Sequence, residues 1–187
     1  MSDQIGNNWR KAPDQALRYG LLFFLILIAA ACRWAPHPHN FAPIGGMAIF
    51  GGASCQDRRW AFLFPLAALA LGDLLVGFHV LVPAVYGSFA IYVLLGRWLR
   101  SQRTVTTTIA VTTFGAIQFF VITNLATWWV FYPHDVAGLF ACFIAALPLF
   151  QNTLAGDLLF TGLLFGGLAV AERNLPSVRE RAATCVG

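Results

Sequence analysis

Charge is scarce in this chain. Only 11% of its 187 residues are charged, against about 25% in a water-soluble domain, so the polar surface a soluble fold needs is missing. Short catalytic and nucleotide-binding motifs are missing too. There is no GxSxG, no HExxH and no GxxxxGK followed by Ser or Thr, which excludes the common hydrolase and phosphate-cradling chemistries. The four cysteines, Cys32, Cys55, Cys142 and Cys185, form no CxxC pair. Neither a zinc finger nor a redox motif is indicated, and isolated cysteines in apolar helices read as small buried hydrophobes. The net charge of +4 comes with no basic patch interleaved with aromatics, so nucleic acid is not an expected partner.

What is present is oil. Apolar residues make up 58% of the chain and mean hydropathy is +0.69. Apolar runs occupy 18–33, 43–53, 60–77, 82–97, 105–131 and 152–171, with a further apolar stretch at 136–150 ending near Pro148. Several reach the roughly 18 residues that mark a transmembrane helix, so the fold class is an all-α integral membrane bundle. The basic stretch before the first run resembles the start of a signal peptide. With no small-residue cleavage site and soluble domain after it, it reads as a retained first helix.

Basic residues set the orientation. If all six runs cross with the N-terminus inside, Arg10, Lys11, Arg18, Arg58, Arg59, Arg97, Arg100, Arg103, Arg173, Arg179 and Arg181 are cytoplasmic and only Arg33 is outside. That is the positive-inside pattern. Run 43–53 is short for a span, and its glycines Gly45, Gly46, Gly51 and Gly52 suit close packing. Were it re-entrant instead, Arg58 and Arg59 would face outward and weaken the asymmetry. The expected organisation is a cytoplasmic segment 1–17, one six-helix membrane domain 18–172 and a cytoplasmic tail 173–187. The stretch 136–150 is expected as an extra helix on the outer surface before the last span, and the location is a bacterial inner membrane with both termini cytoplasmic.

All four histidines then fall outside: His37 and His39 after span 1, His79 after span 3 and His134 after span 5. The first outer loop, CRWAPHPHNFAPIGG (32–46), is stiffened by prolines that fix φ and restrict the residues before them. A rigid loop carrying His37, His39, Asn40 and Phe41 suits ligand recognition. Trp34, Trp128 and Trp129 also fit a simple anchoring role at the headgroup layer, and Tyr132 and Asp135 lie near them. The pairs HPH (37–39) and YPHD (132–135) have ligand-type side chains but no helical i,i+4 geometry, so no dedicated metal site is assigned.

Two acids lie within the oil. Burying a charge near a bilayer centre costs at least about 2.5–3.5 kcal/mol and usually marks function. Asp73 and Asp157 sit in one repeated phrase, LALGDLLVG (69–77) and TLAGDLLFTG (153–162). In oppositely directed helices this resembles the inverted repeats from which transporters build a shared site. Both carboxylates are expected to face a polar cavity beneath the outer loops, with Tyr86, Ser88, Asn124, Thr127 and Asn152 at matching depth. The alternative is that each aspartate caps a helix end or bonds a neighbour for stability.

The segments HPHNFAPIGGMAIFGGA (37–53), DRRWAFLFPLAALALGDLLVGFH (57–79), ITNLATWWVFYP (122–133) and GLFACFIAALPLFQNTLAGDLLFTGLLFG (138–166) resemble a family of small bacterial membrane proteins similar to the S components of energy-coupling factor vitamin transporters. The resemblance covers residues 18–172. It implies a six-helix fold binding a small molecule at outer loops 1, 3 and 5, and a separate ATPase energy-coupling module as partner. One such group handles cobalamin through a cysteine on the cobalt. In this chain the nearest cysteine, Cys32, sits at the end of span 1 and Cys55 reads as cytoplasmic, so cobalamin as ligand would need a histidine in that role. S components dock partners through small residues on span 1; Ala12, Ala16 and Gly20 have that spacing here, with Pro13 intervening. The expected function is therefore capture and uptake of a small, vitamin-like organic solute, without enzymatic turnover. The site set is His37, His39, Asn40, Phe41, Asp73, His79, Tyr86, Asn124, Trp128, Tyr132, His134, Asn152 and Asp157. The alternatives are an accessory or assembly subunit, or an intramembrane enzyme using a His/Asp pair.

Overall fold

The computed structural model describes residues 15–31 and 38–178. His37, Cys32, Arg33 and Trp34, the N-terminal segment through Asp14 with Ala12 and Pro13, and the tail beyond Val178 lie outside the described residues. Among those described, the chain is all helical: α1 (Gln15–Ala31), α2 (Ile44–Ser54), α3 (Arg58–Val76), α4 (Val82–Leu99), α5 (Val105–Phe131) and α6 (Val136–Asn174), closed by a 3-10 turn at Pro176–Val178.

Helix starts are written in the local sequence. Asp57 caps α3 by accepting from the Arg59 N–H at 2.8 Å. Thr104 and Thr107 form a capping box on α5, and Asp135 accepts from the Gly138 N–H at 2.6 Å to open α6. Each satisfies amide groups that the first turn leaves without a helical partner. Pro83 lies in the first turn of α4, where a missing N–H costs nothing. α2 is different. It follows Pro43 with no cap from its own segment.

α2 is the hub. All eleven of its residues are buried, as a helix apolar on every side should be, and it touches each of the other five helices. Its paired glycines divide the work. A Cβ on Gly52 would overlap the Val93 carbonyl and one on Gly96 would overlap Ile49, so α2 and α4 cross with their backbones in contact. Gly45 and Gly46 make the same close approach to Asp157 and Thr161 on α6. Small residues that let backbones meet are how helices associate without a hydrophobic driving force. At 11 residues, α2 is about 16 Å long, short of the roughly 30 Å hydrocarbon core.

The exterior is as oily as the core. Leu71, Leu74, Phe140, Ile144 and Leu163 are each more than half exposed, on a scale soluble proteins do not tolerate. α4, α5 and α6 are long and apolar enough to cross a membrane. This is the surface of a membrane protein.

Short connections make successive helices antiparallel, and the bonds at one end confirm it. Arg18 at the start of α1 pairs with Glu172 at the end of α6 at 2.8 Å and donates to the Val178 carbonyl at 2.6 Å. Arg100 donates to the Cys55 carbonyl at 2.8 Å, tying the ends of α4 and α2. Arg58, Arg59, Arg97, Arg103 and Arg173 occupy the same end by helix direction, while His39, His79 and His134 occupy the other.

One sequence expectation is revised. The stretch 136–150 is no separate surface helix: α6 runs unbroken for 39 residues through Pro148, about 58 Å. Proline ended the sequence reading of that segment because it removes a helical hydrogen bond. Membrane helices tolerate this loss when neighbours compensate. Beyond α6, Val178 is fully buried and its carbonyl is held by Arg18.

Candidate functional site

The histidine end opens into a cleft built from two loops and the helices α2 to α6. Loop 1 descends first. The Phe41 N–H donates to the Pro38 carbonyl at 3.0 Å and the Ala42 N–H to the Asn40 carbonyl at 3.1 Å, with Asn40 in the left-handed region at φ 64°. Asparagine is among the few side chains that adopt this conformation readily. Two contacts then fasten the loop to α6. The Asn152 side-chain amide donates to the His39 carbonyl at 2.9 Å, and Gly156 leaves room for the Ala42 backbone to lie against the helix.

Asp157 lies below this loop, 2% exposed. Its carboxylate accepts from the Tyr92 hydroxyl on α4 and from the Gly46 backbone N–H in the first turn of α2. The cap that α2 lacks in its own sequence therefore comes from α6, where a carboxylate meets the positive end of the helix dipole. Gly45 is required here, because any Cβ would overlap the carboxyl group. Tyr92 is itself fully buried, stacked on Phe89 at 5.6 Å. Its ring occupies space that Gly115 leaves by having no side chain.

Asp73, on α3, is 6% exposed and lines the same cavity as Asp157. That cavity has a volume of about 580 Å³, and its polar lining is His39, Asn40, Asp73, His79, Tyr92, Thr153 and Asp157. A second cavity of about 380 Å³ adjoins it. The two share Asn40, His79, Val85, Phe119 and Thr153, and the second adds Thr123, Asn124, Thr127, Tyr132 and Cys142. Together they form a two-chambered cleft between loop 1, the α3–α4 loop, the start of α2, and α3, α4, α5 and α6.

The cleft gathers His39, Asn40, Asp73, His79, Asn124, Tyr132 and Asp157 from the sequence-derived set. The remaining described members stand elsewhere. Phe41 packs against Phe160 at 5.9 Å. Tyr86 and Ser88 belong to α4 but line neither chamber. Trp128 donates from its indole to the Pro133 carbonyl at 2.9 Å. His134 is exposed, bonded to the Trp129 carbonyl at 2.7 Å and stacked on that indole at 4.7 Å. Asn152 acts on the loop backbone, and His37 is not among the described residues. Tyr92 escaped sequence reading because IYVLLG looks uniformly apolar; the faint signal was a glycine in the facing helix, Gly115. Cys142 enters the wall of the second chamber from α6, with its thiol on the Asn124 carbonyl at 3.5 Å, so a cysteine does reach the cleft without being in a loop. Among the described residues, no three His, Cys, Asp or Glu side chains cluster to hold a metal ion.

Residues 14–178 match the family of unknown function DUF6580, and the chain belongs to that family. No curated protein and no solved structure matches it.

Proposed function

We propose that this DUF6580 protein captures a small organic solute in the two-chambered cleft and serves its uptake across the bacterial inner membrane. All six helices cross or occupy the bilayer in this reading, with both termini and the arginine end in the cytoplasm and the cleft facing outward. The one-sided distribution of arginine supports this orientation. The observation that carries the function is the meeting of Asp73 and Asp157, from distant copies of one repeated phrase, in the wall of one cavity. Cavities of roughly 300–1,000 Å³ with apolar walls and a few convergent polar groups are typical of small-molecule sites. The chain has no nucleotide-binding motif, so energy would come from a partner ATPase module, in keeping with the resemblance to S components.

One observation favours a second reading, a scaffold or assembly subunit. Asp157 is fully engaged inside the protein by Tyr92 and Gly46, as a purely structural cap would be. Native mass spectrometry of protein solubilised gently from its own membranes separates the two. Capture predicts a retained small molecule in the wild type, lost in Val85→Trp, which fills space shared by both chambers. A folded wild type retaining nothing supports the scaffold.

A further inference from the structure

We infer that the groove between α5 and α6 at the arginine end is a binding site for one anionic phospholipid. It has a volume of about 780 Å³, lies between the first turns of α5 and the second half of α6, and shares no residue with either chamber of the cleft. Its walls suit a hydrocarbon chain. Ile109, Leu158 and Phe165 supply apolar surface. The hydroxyls of Thr108 and Thr112 are satisfied within α5, by the Thr104 carbonyl at 2.7 Å and the Thr108 carbonyl at 2.8 Å. Gly162 and Gly166 line the same groove, and a Cβ added at either would meet nothing within 4 Å. The groove opens outward, since Val105 and Ile109 on its α5 wall are each more than half exposed.

Length and charge select the occupant. From Leu158 to Ala169 the groove follows α6 for about 16 Å, half of the roughly 30 Å hydrocarbon core. That matches a chain from one leaflet and is too short to seat a partner's spanning helix. Arg103 enters the lining at the start of α5, its guanidinium 5.4 Å from the Phe165 ring centre. It makes no ion pair among the described residues. A guanidinium over a ring still offers its N–H fork to a phosphodiester. No acidic side chain lines the groove, and seven described arginines share this end with two described acids, Asp57 and Glu172. The chain ends outside the described residues carry four basic and three acidic side chains, which does not reverse the sign. Basic grooves between membrane helices suit anionic headgroups, and the N-terminus of α5 adds positive potential. A second copy of the chain fits less well, because a two-fold contact through this face sets two Arg103 side chains together.

The test adds phosphatidylglycerol and phosphatidylcholine with identical oleoyl chains, in equal amounts, to delipidated protein. Native mass spectrometry reads the lipid retained. Wild type is expected to prefer phosphatidylglycerol about fivefold or more, the ratio that one arginine near an anionic headgroup confers. Arg103→Gln should lower that preference about fivefold. Arg59→Gln, which removes an exposed arginine at the same end but outside the groove, should leave it unchanged. Gly162→Leu fills the groove without touching the arginine and should reduce retention of both lipids. If Arg103→Gln does not fold, the wild-type ratio and Gly162→Leu decide. Equal retention of the two lipids by the wild type overturns the assignment. So does an equal loss in Arg59→Gln and Arg103→Gln, which marks attraction by the whole end of the molecule. Undiminished retention in Gly162→Leu also overturns it, because no chain then sits between α5 and α6.

Discussion

Tyr92→Phe isolates the bond on which the cleft floor rests. The substitution removes one oxygen and leaves the ring in place against Phe89, Phe119 and the space beside Gly115, so no large cavity forms. Asp157 keeps the Gly46 N–H but loses the hydroxyl. A hydrogen bond to a charged group is worth about 1.5–3 kcal/mol. Coupling between polar side chains in membrane proteins averages about 0.6 kcal/mol and reaches about 1.7. Both partners here are almost fully buried by protein, which places the expected loss near the upper figure, about 1.5 kcal/mol. Asp157→Asn should cost more, since it also removes the charge at the α2 N-terminus. The double variant should then show about 1 kcal/mol of non-additivity. Reversible unfolding in mixed micelles with rising SDS, followed by tryptophan fluorescence, measures all three. If Tyr92→Phe lies within about 0.5 kcal/mol of wild type, or the two changes add, the bond is not supporting the site.

Glycine substitutions should split by location. Gly52→Ala pushes a methyl into the Val93 carbonyl and should destabilise by about 1–3 kcal/mol. Gly87→Ala, at an exposed position of α4 with open space around it, should be neutral or gain up to about 1 kcal/mol from helix propensity. Thermal unfolding in detergent that moves both the same way contradicts the α2–α4 contact. Cys55 is fully buried at the arginine end of α2, and that burial pushes its thiol up to about 11 despite nearby Arg18 and Arg100. Maleimide at pH 8 should leave Cys55 unmodified in folded protein and label it only after denaturation, as read by peptide mass; rapid labelling of the folded protein refutes the packing. In cysteine-free protein, a membrane-impermeant thiol reagent applied to intact cells should label His134→Cys and spare Ser101→Cys until the membrane is opened. The reverse pattern inverts the proposed orientation.

The sequence revealed the ends of the molecule better than its middle. Arginines and histidines sort by helix end, and helix ends follow from apolar runs and caps such as Asp57, Thr104 and Asp135. The convergence of Asp73 and Asp157 was legible because a repeated phrase in opposed helices implies equal depth. What the sequence hid depends on which faces of two helices meet. Tyr92 is one aromatic among many until α2 brings Gly46 against Asp157 and the facing helix leaves room at Gly115. His134 looked equivalent to His39, yet a stacking partner five residues back, Trp129, draws it away from the cleft. Pro148 read as a boundary because proline's local cost is visible in a sequence and the neighbours that absorb it are not.

A high-resolution structure of the protein extracted with its native lipids tests the central claim most directly. The account predicts a compact molecule between Asp73 and Asp157, reached from the side of His39 and His79. A cleft closed by its own side chains, or filled by a lipid chain making no contact with either carboxylate, would contradict it.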